Sequence, residues 1–159
     1  MLCSDARVLV IDDKVFSRAT TVRLLRGMGI RKIVEAVDGA DGLEAYATLW
    51  PHVVICEPEM KPVDGIVFLQ TLMAEKKHLV RIAPVIFLSH ESNENLVAQA
   101  HQLGAAAYLR KPISMTSLSR KICGAIGTSG DLYGEELPAP MPNAVSSPTP
   151  FPGNTLVLI

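Results

Sequence analysis

Cysteine, long apolar runs and late basic residues are all scarce in this chain, and each shortage removes a class of protein. Its 159 residues include three cysteines, Cys3, Cys56 and Cys123, odd in number and far apart, so neither a disulfide framework nor a metal-ligand spacing is expected. Cys56 closes an apolar run and reads as a small core hydrophobe. The longest apolar runs reach only about six residues, against the ~20 needed to cross a bilayer. No signal peptide is visible, because Asp5 and Arg7 come too early. Those absences point to a soluble, cytoplasmic protein. Past Lys121 there is no Lys or Arg at all, although the chain holds 15. The net charge of −1 argues against nucleic acid or an anionic membrane as the main partner.

What the chain does have is an alternation of short apolar runs with helix-period segments between Arg7 and Gly127. The runs are Val8 to Ile11, Ile33 to about Ala36, Val53 to Cys56, Val85 to Leu88, and Ala106 to Leu109. Between them, apolar residues recur every three or four positions: Val15, Ala19, Val22, Leu25 and Met28; Leu43, Tyr46 and Trp50; Ile66, Leu69 and Leu72; Leu96, Ala100 and Leu103. Met115, Leu118, Ile122 and Ala125 complete the series. Gly29, Pro51 and Gly104 are helix stops, and Asp38 is a helix cap. Strands that are apolar throughout, not alternately, need cover on both faces. The expected fold is therefore α/β: a doubly wound, five-stranded parallel sheet built as (βα)5. Residues 128–159 break the pattern, with six of the eleven prolines and no basic residue, and read as a disordered or extended tail after a domain at 1–127.

Ligands of such sheets bind at the carboxyl ends of the strands, where the strand order reverses. Those ends carry Asp12 and Asp13, then Glu57, Ser89 and Lys111. Clustered carboxylates suit a hard divalent cation such as Mg²⁺. A hydroxyl and an ammonium beside them suit phosphoryl oxygens. The turn Asp12 to Phe16 has no glycine and no Ser/Thr phosphate cradle, which argues against a nucleotide or flavin.

Several stretches together resemble the receiver domains of two-component response regulators, over roughly residues 6–127. They are Val-Leu-Val-Ile-Asp-Asp at 8–13, Ala-Val-Asp-Gly at 36–39, Glu-Met-Lys-Pro-Val-Asp-Gly at 59–65, Phe-Leu-Ser at 87–89, Gly-Ala-Ala-Ala-Tyr-Leu at 104–109 and Arg-Lys-Pro at 110–112. The resemblance implies a flavodoxin-like fold of strand order 2-1-3-4-5 and a role in phosphorelay signalling. It implies that Asp12 and Asp13 are metal-binding acids, that Lys111 pairs with phosphate, and that Ser89 and Tyr108 form the switch. It also implies a metal contact from Glu59 through its backbone carbonyl, and often a cis bond before Pro112.

One departure stands out: the phosphoacceptor position, counted back from Asp64-Gly65, holds Glu57, and no Asp occurs between Asp41 and Asp64. One extra methylene moves the carboxylate by ~1 Å, an error that can reduce phosphoryl transfer about 10²-fold. The expected role is a stand-alone, phosphorylation-independent receiver that binds protein partners and is not an enzyme, with Mg²⁺ held weakly by Asp12, Asp13, Glu57 and Glu59. Glu57 then either mimics phosphate by pairing with Lys111 and Ser89, or leaves a locked inactive or neutral scaffold. The alternative is a Mg²⁺-dependent phosphoacceptor charged by a histidine kinase despite Glu57. Expected partners are a histidine kinase or another response regulator, or a second copy docking through residues 92–126. Lys14 is placed to pair with Asp13 or Glu57.

Overall fold

The computed structural model describes residues 2–77, 82–91 and 93–127; the expected tail at 128–159 lies outside them. A short 3-10 turn, Cys3–Asp5, leads into five strands alternating with five helices. They are β1 (Arg7–Ile11), α1 (Val15–Gly27), β2 (Lys32–Ala36), α2 (Gly39–Leu49), β3 (Val53–Cys56), α3 (Gly65–Ala74), β4 (Val85–Ser89), α4 (Glu94–Gln102), β5 (Ala107–Arg110) and α5 (Met115–Gly127). The strands run parallel in the order β2-β1-β3-β4-β5. This is the doubly wound fold expected from the sequence, with β5 one residue later than its apolar run suggests.

Burial explains the apolar runs. The central strands β3 and β4 are buried along their whole length, and β1 is buried from Val8 onward. One core lies on one sheet face, where Leu9, Val54 and Phe87 meet Tyr46, Phe68, Leu69 and Leu72 of α2 and α3. On the other face, Val8, Val10, Ile55 and Ile86 meet Leu25 of α1 and Leu118, Ile122 and Ile126 of α5. The edge strands β2 and β5 are only partly covered, which accounts for their weaker apolar signal.

Two expectations need correction. Val15 and Ala19 do not reach the core: Val15 is 64% exposed, and α1 buries Thr21 and Leu25 instead. The first turn of α1 overhangs the rim, so periodicity alone extends the apolar stripe too far. The cysteines do include a pair. Cys3 in the N-terminal turn and Cys123 in α5 are joined by a disulfide with Cα atoms 5.6 Å apart. Their separation of 120 residues hides the pairing from any spacing rule; topology creates it by laying α5 beside the chain that enters β1.

Gly65 fixes the loop that follows β3. A Cβ there lies 2.5 Å from the Glu57 carbonyl oxygen and 2.9 Å from both Cys56 Sγ and the Phe87 ring. Asp64 caps α3 by accepting the Val67 N–H at 2.9 Å. Asp-Gly thus starts the helix directly against the end of β3. Gly65→Ala is expected to destabilise the protein by about 1–3 kcal/mol through overpacking. Gly124→Ala, where a Cβ meets nothing within 4 Å, is expected to be neutral or stabilising by up to ~1 kcal/mol. Urea unfolding of the two variants measures both.

Candidate functional site

Strand register assembles the rim. Ile11 pairs with Cys56, and the Glu57 N–H donates to the Ile11 carbonyl at 2.9 Å, so Asp12 and Glu57 emerge side by side. Ser89 pairs with Arg110, and the Lys111 N–H donates to the Ser89 carbonyl at 2.7 Å. Residues far apart in sequence meet because each ends or follows a strand of one parallel sheet. Asp12, Glu57 and Ser89 are buried, at 3%, 5% and 0% exposure. The Lys111–Pro112 bond is cis, and so is Lys61–Pro62 in the loop after β3.

The Lys111 ammonium sits between two carboxylates, 2.9 Å from Asp12 Oδ2 and 3.1 Å from Glu57 Oε2. It also donates to the Ser17 hydroxyl. Asp12 is held from several sides. The Lys14 N–H donates to its Oδ1 at 2.9 Å, and Arg18 Nη1 donates to its backbone carbonyl at 2.8 Å. Arg18 also pairs with Glu35 at 3.0 Å, so it braces β2 against the rim. Burial by itself pushes the Asp12 carboxyl upward. The hydrogen bonds from Ser17, from the Lys14 N–H and from Lys111 outweigh it and hold the group below its ordinary 3.8.

The remaining residues divide. Lys14 pairs with Asp13 at 3.4 Å, not with Glu57. Glu59 is exposed, and its closest tie to the site is a long backbone N–H contact, 3.5 Å from Glu57 Oε1. Ser89 Oγ accepts the Glu91 N–H at 3.0 Å; among the described residues no hydrogen bond joins it to Glu57. The Tyr108 hydroxyl donates to the Glu91 carbonyl at 3.4 Å, and its ring lies 6.1 Å from that of Phe87. Glu91 therefore links Ser89 to Tyr108 through its own backbone. Ser17 and Arg18 are contributors that the sequence does not flag: one turn into α1, they carry no motif, and only the helix direction turns them to the rim.

The oxygens of Asp12, Asp13 and Glu57 are the hard donors that Mg²⁺ prefers. They do not converge as a set. Among the described residues no three His, Cys, Asp or Glu side chains are placed to hold one metal ion. Lys111 stands between Asp12 and Glu57, and Asp13 faces Lys14. As arranged, the rim holds the Lys111 ammonium between Asp12 and Glu57.

Fold and rim together define a doubly wound α/β signalling domain with acids, a hydroxyl and a lysine at its strand ends. The chain matches the response regulator receiver domain over residues 8–123 and belongs to that family. It is 32% identical over 121 residues to a probable chemotaxis protein CheY of Rhizobium etli, covering 76% of this chain and 92% of that one. It is 40% identical over 107 residues to protein-glutamate methylesterase/protein-glutamine glutaminase 6 of Anaeromyxobacter dehalogenans, covering 67% of this chain but only 29% of that relative. A response regulator receiver domain from Clostridium thermocellum superposes with a TM-score of 0.70 at 28% identity, covering 79% of this chain and 97% of that one. The CheX–CheY–BeF3–Mg²⁺ complex of Borrelia burgdorferi provides a second solved neighbour: TM-score 0.68, 25% identity, 76% of this chain and 89% of that one. The chain is thus a receiver domain of bacterial two-component signalling, and among its described residues no helix is long and apolar enough to cross a membrane.

Asp12 gives the site a defined acid limit. Its folded pKa lies below its unfolded one, so its contribution to stability is complete above about pH 3.8 and is lost as pH falls through the folded value. Asp12→Asn is expected to flatten that part of the acid limb and leave the slope near neutrality unchanged. Urea midpoints measured across acid pH test this.

Proposed function

We propose that this receiver works without phosphorylation, as a protein-binding module whose rim is closed by Glu57 and Lys111. One observation carries the reading: the Glu57–Lys111 pair at 3.1 Å, with side chains 4% and 9% exposed. The longer carboxylate already occupies the lysine that the receiver resemblance assigns to phosphate. Glu57 is also fixed there by packing, because Gly65 and the Asp64 cap press the following loop onto its backbone. A nucleophile needs a free, aligned oxygen beside the incoming phosphorus. This carboxylate is bound to an ammonium instead.

In this reading Lys111 is the resident cation. Mg²⁺ competes with it for Asp12 and Glu57, so metal binding is weak. Ser89 and Tyr108 are tied to Glu91 rather than to Glu57, which favours a neutral scaffold over a full mimic of the phosphorylated state. Output is assigned to the face at 92–126, formed by α4, β5 and α5. A groove of about 470 Å³ lies there between α4 and β5, lined by Val97, Ala98, His101, Ala106 and Tyr108. It suits an apolar side chain of a signalling protein, a histidine kinase or another response regulator, or of a second copy. The module has no catalytic activity of its own in this account and acts in the cytoplasm.

Incubation with a small phosphodonor and Mg²⁺, followed by intact-protein mass, is expected to show no phosphoryl adduct on the native chain. Glu57→Asp is expected to gain one. A stoichiometric adduct on the native chain that disappears in Glu57→Gln establishes the phosphoacceptor alternative instead. Lys111→Met leaves two buried acids without their cation and is expected to lose about 3–5 kcal/mol of stability. Millimolar Mg²⁺ should raise the melting temperature of that variant and leave the native one nearly unchanged.

A further inference from the structure

The three cysteines fall into two kinds. Cys56 is fully buried beside Glu57, and burial pushes its thiol well up, so it is chemically quiet. Cys3 and Cys123 are partly buried, and their Cα atoms lie 5.6 Å apart, within the span that a disulfide requires. They join the first described turn to the last helix, across nearly the whole domain. The turn at Cys3 is held by the Ala6 N–H, which donates to the Cys3 carbonyl at 3.2 Å, and by packing of Cys3 against the core that includes Leu118 and Ile122. The Cys123 end of α5 packs through Ile122 and Ile126 onto the core beneath β1 and β3.

We propose that Cys3 and Cys123 form a thiol–disulfide exchange site, with a low-molecular-weight disulfide such as oxidised glutathione as its co-substrate, and that closing it fastens α5 to the N-terminal turn. One cysteine thiolate attacks the small disulfide, forming a mixed disulfide and releasing one small thiol. The second thiolate then attacks the protein sulfur of that intermediate and releases the second small thiol. Each cysteine gives up one proton, and two electrons pass to the small disulfide, which leaves as two reduced molecules. Neither cysteine is fully buried, in contrast to Cys56, so the pair lies within reach of a small reagent. Because α5 forms part of the 92–126 face, the bond stiffens one border of that face without touching the rim. The inference is independent of how Glu57 behaves.

The full chain is equilibrated in glutathione buffers of graded redox ratio, then denatured, alkylated with a maleimide and weighed. The expected result is a monomer with three labels under reducing conditions and one, on Cys56, under oxidising conditions. The oxidised chain should melt roughly 10 °C higher than the reduced one, because closing so long a loop restricts the unfolded chain. Hydrogen exchange at the end of α5 should slow on oxidation. Cys56→Ser should keep the redox-dependent melting shift, and Cys3→Ser should lose it. Three labels at every ratio, persistent glutathione adducts or disulfide-linked dimers overturn the proposal. So does a closed bond that changes neither melting nor exchange in α5.

Discussion

A single ammonium shared by two buried carboxylates organises the carboxyl end of this sheet. Lys111 reaches Asp12 and Glu57 at about equal distance, and all three side chains are almost wholly withdrawn from water. Burying charges in this way is costly, and their mutual attraction offsets that cost only when the geometry and the surrounding hydrogen bonds are complete. Here they are well supplied. Ser17, the Lys14 N–H and the Glu59 N–H each contribute, and Arg18 holds the Asp12 backbone. Removing any one charge leaves the others exposed to a low-dielectric surround, which is why the rim behaves as a unit.

The sheet makes this arrangement possible because parallel register is rigid. Ile11 opposite Cys56 and Ser89 opposite Arg110 set the height at which each strand releases its chain. The cores on both faces then lock those heights. The Pro-x-Asp-Gly loop adds a further constraint, since Gly65 presses against the Glu57 carbonyl and leaves no room for a larger residue. Glutamate at position 57 places its Oε2 3.1 Å from the Lys111 ammonium.

Much of this was legible in the chain itself. The apolar runs of β1, β3 and β4 are readable because both their faces are covered, and Asp12, Asp13, Glu57, Ser89 and Lys111 stand out because each ends or follows a run. The receiver resemblance puts Glu57 at the acceptor position because Asp64-Gly65 fixes the count. Other features had no local signal. Val15 fits the period of α1 yet overhangs the rim. Ser17 and Arg18 gain their roles from the direction of α1, and Cys3 meets Cys123 only after the fold has formed. The division is physical: periodicity reports which faces are covered, while cross-chain pairing depends on where topology places the ends.

The receiver family accounts for the scaffold, and the Glu57–Lys111 ion pair underlies the function proposed for it. Its strength can be read directly by a double-mutant cycle on Glu57→Gln and Lys111→Met, with unfolding free energies measured in urea near neutral pH. A coupling energy of about 1–3 kcal/mol between the two positions is expected. A coupling indistinguishable from zero would mean that Glu57 does not occupy the lysine, and the closed rim would have to be abandoned.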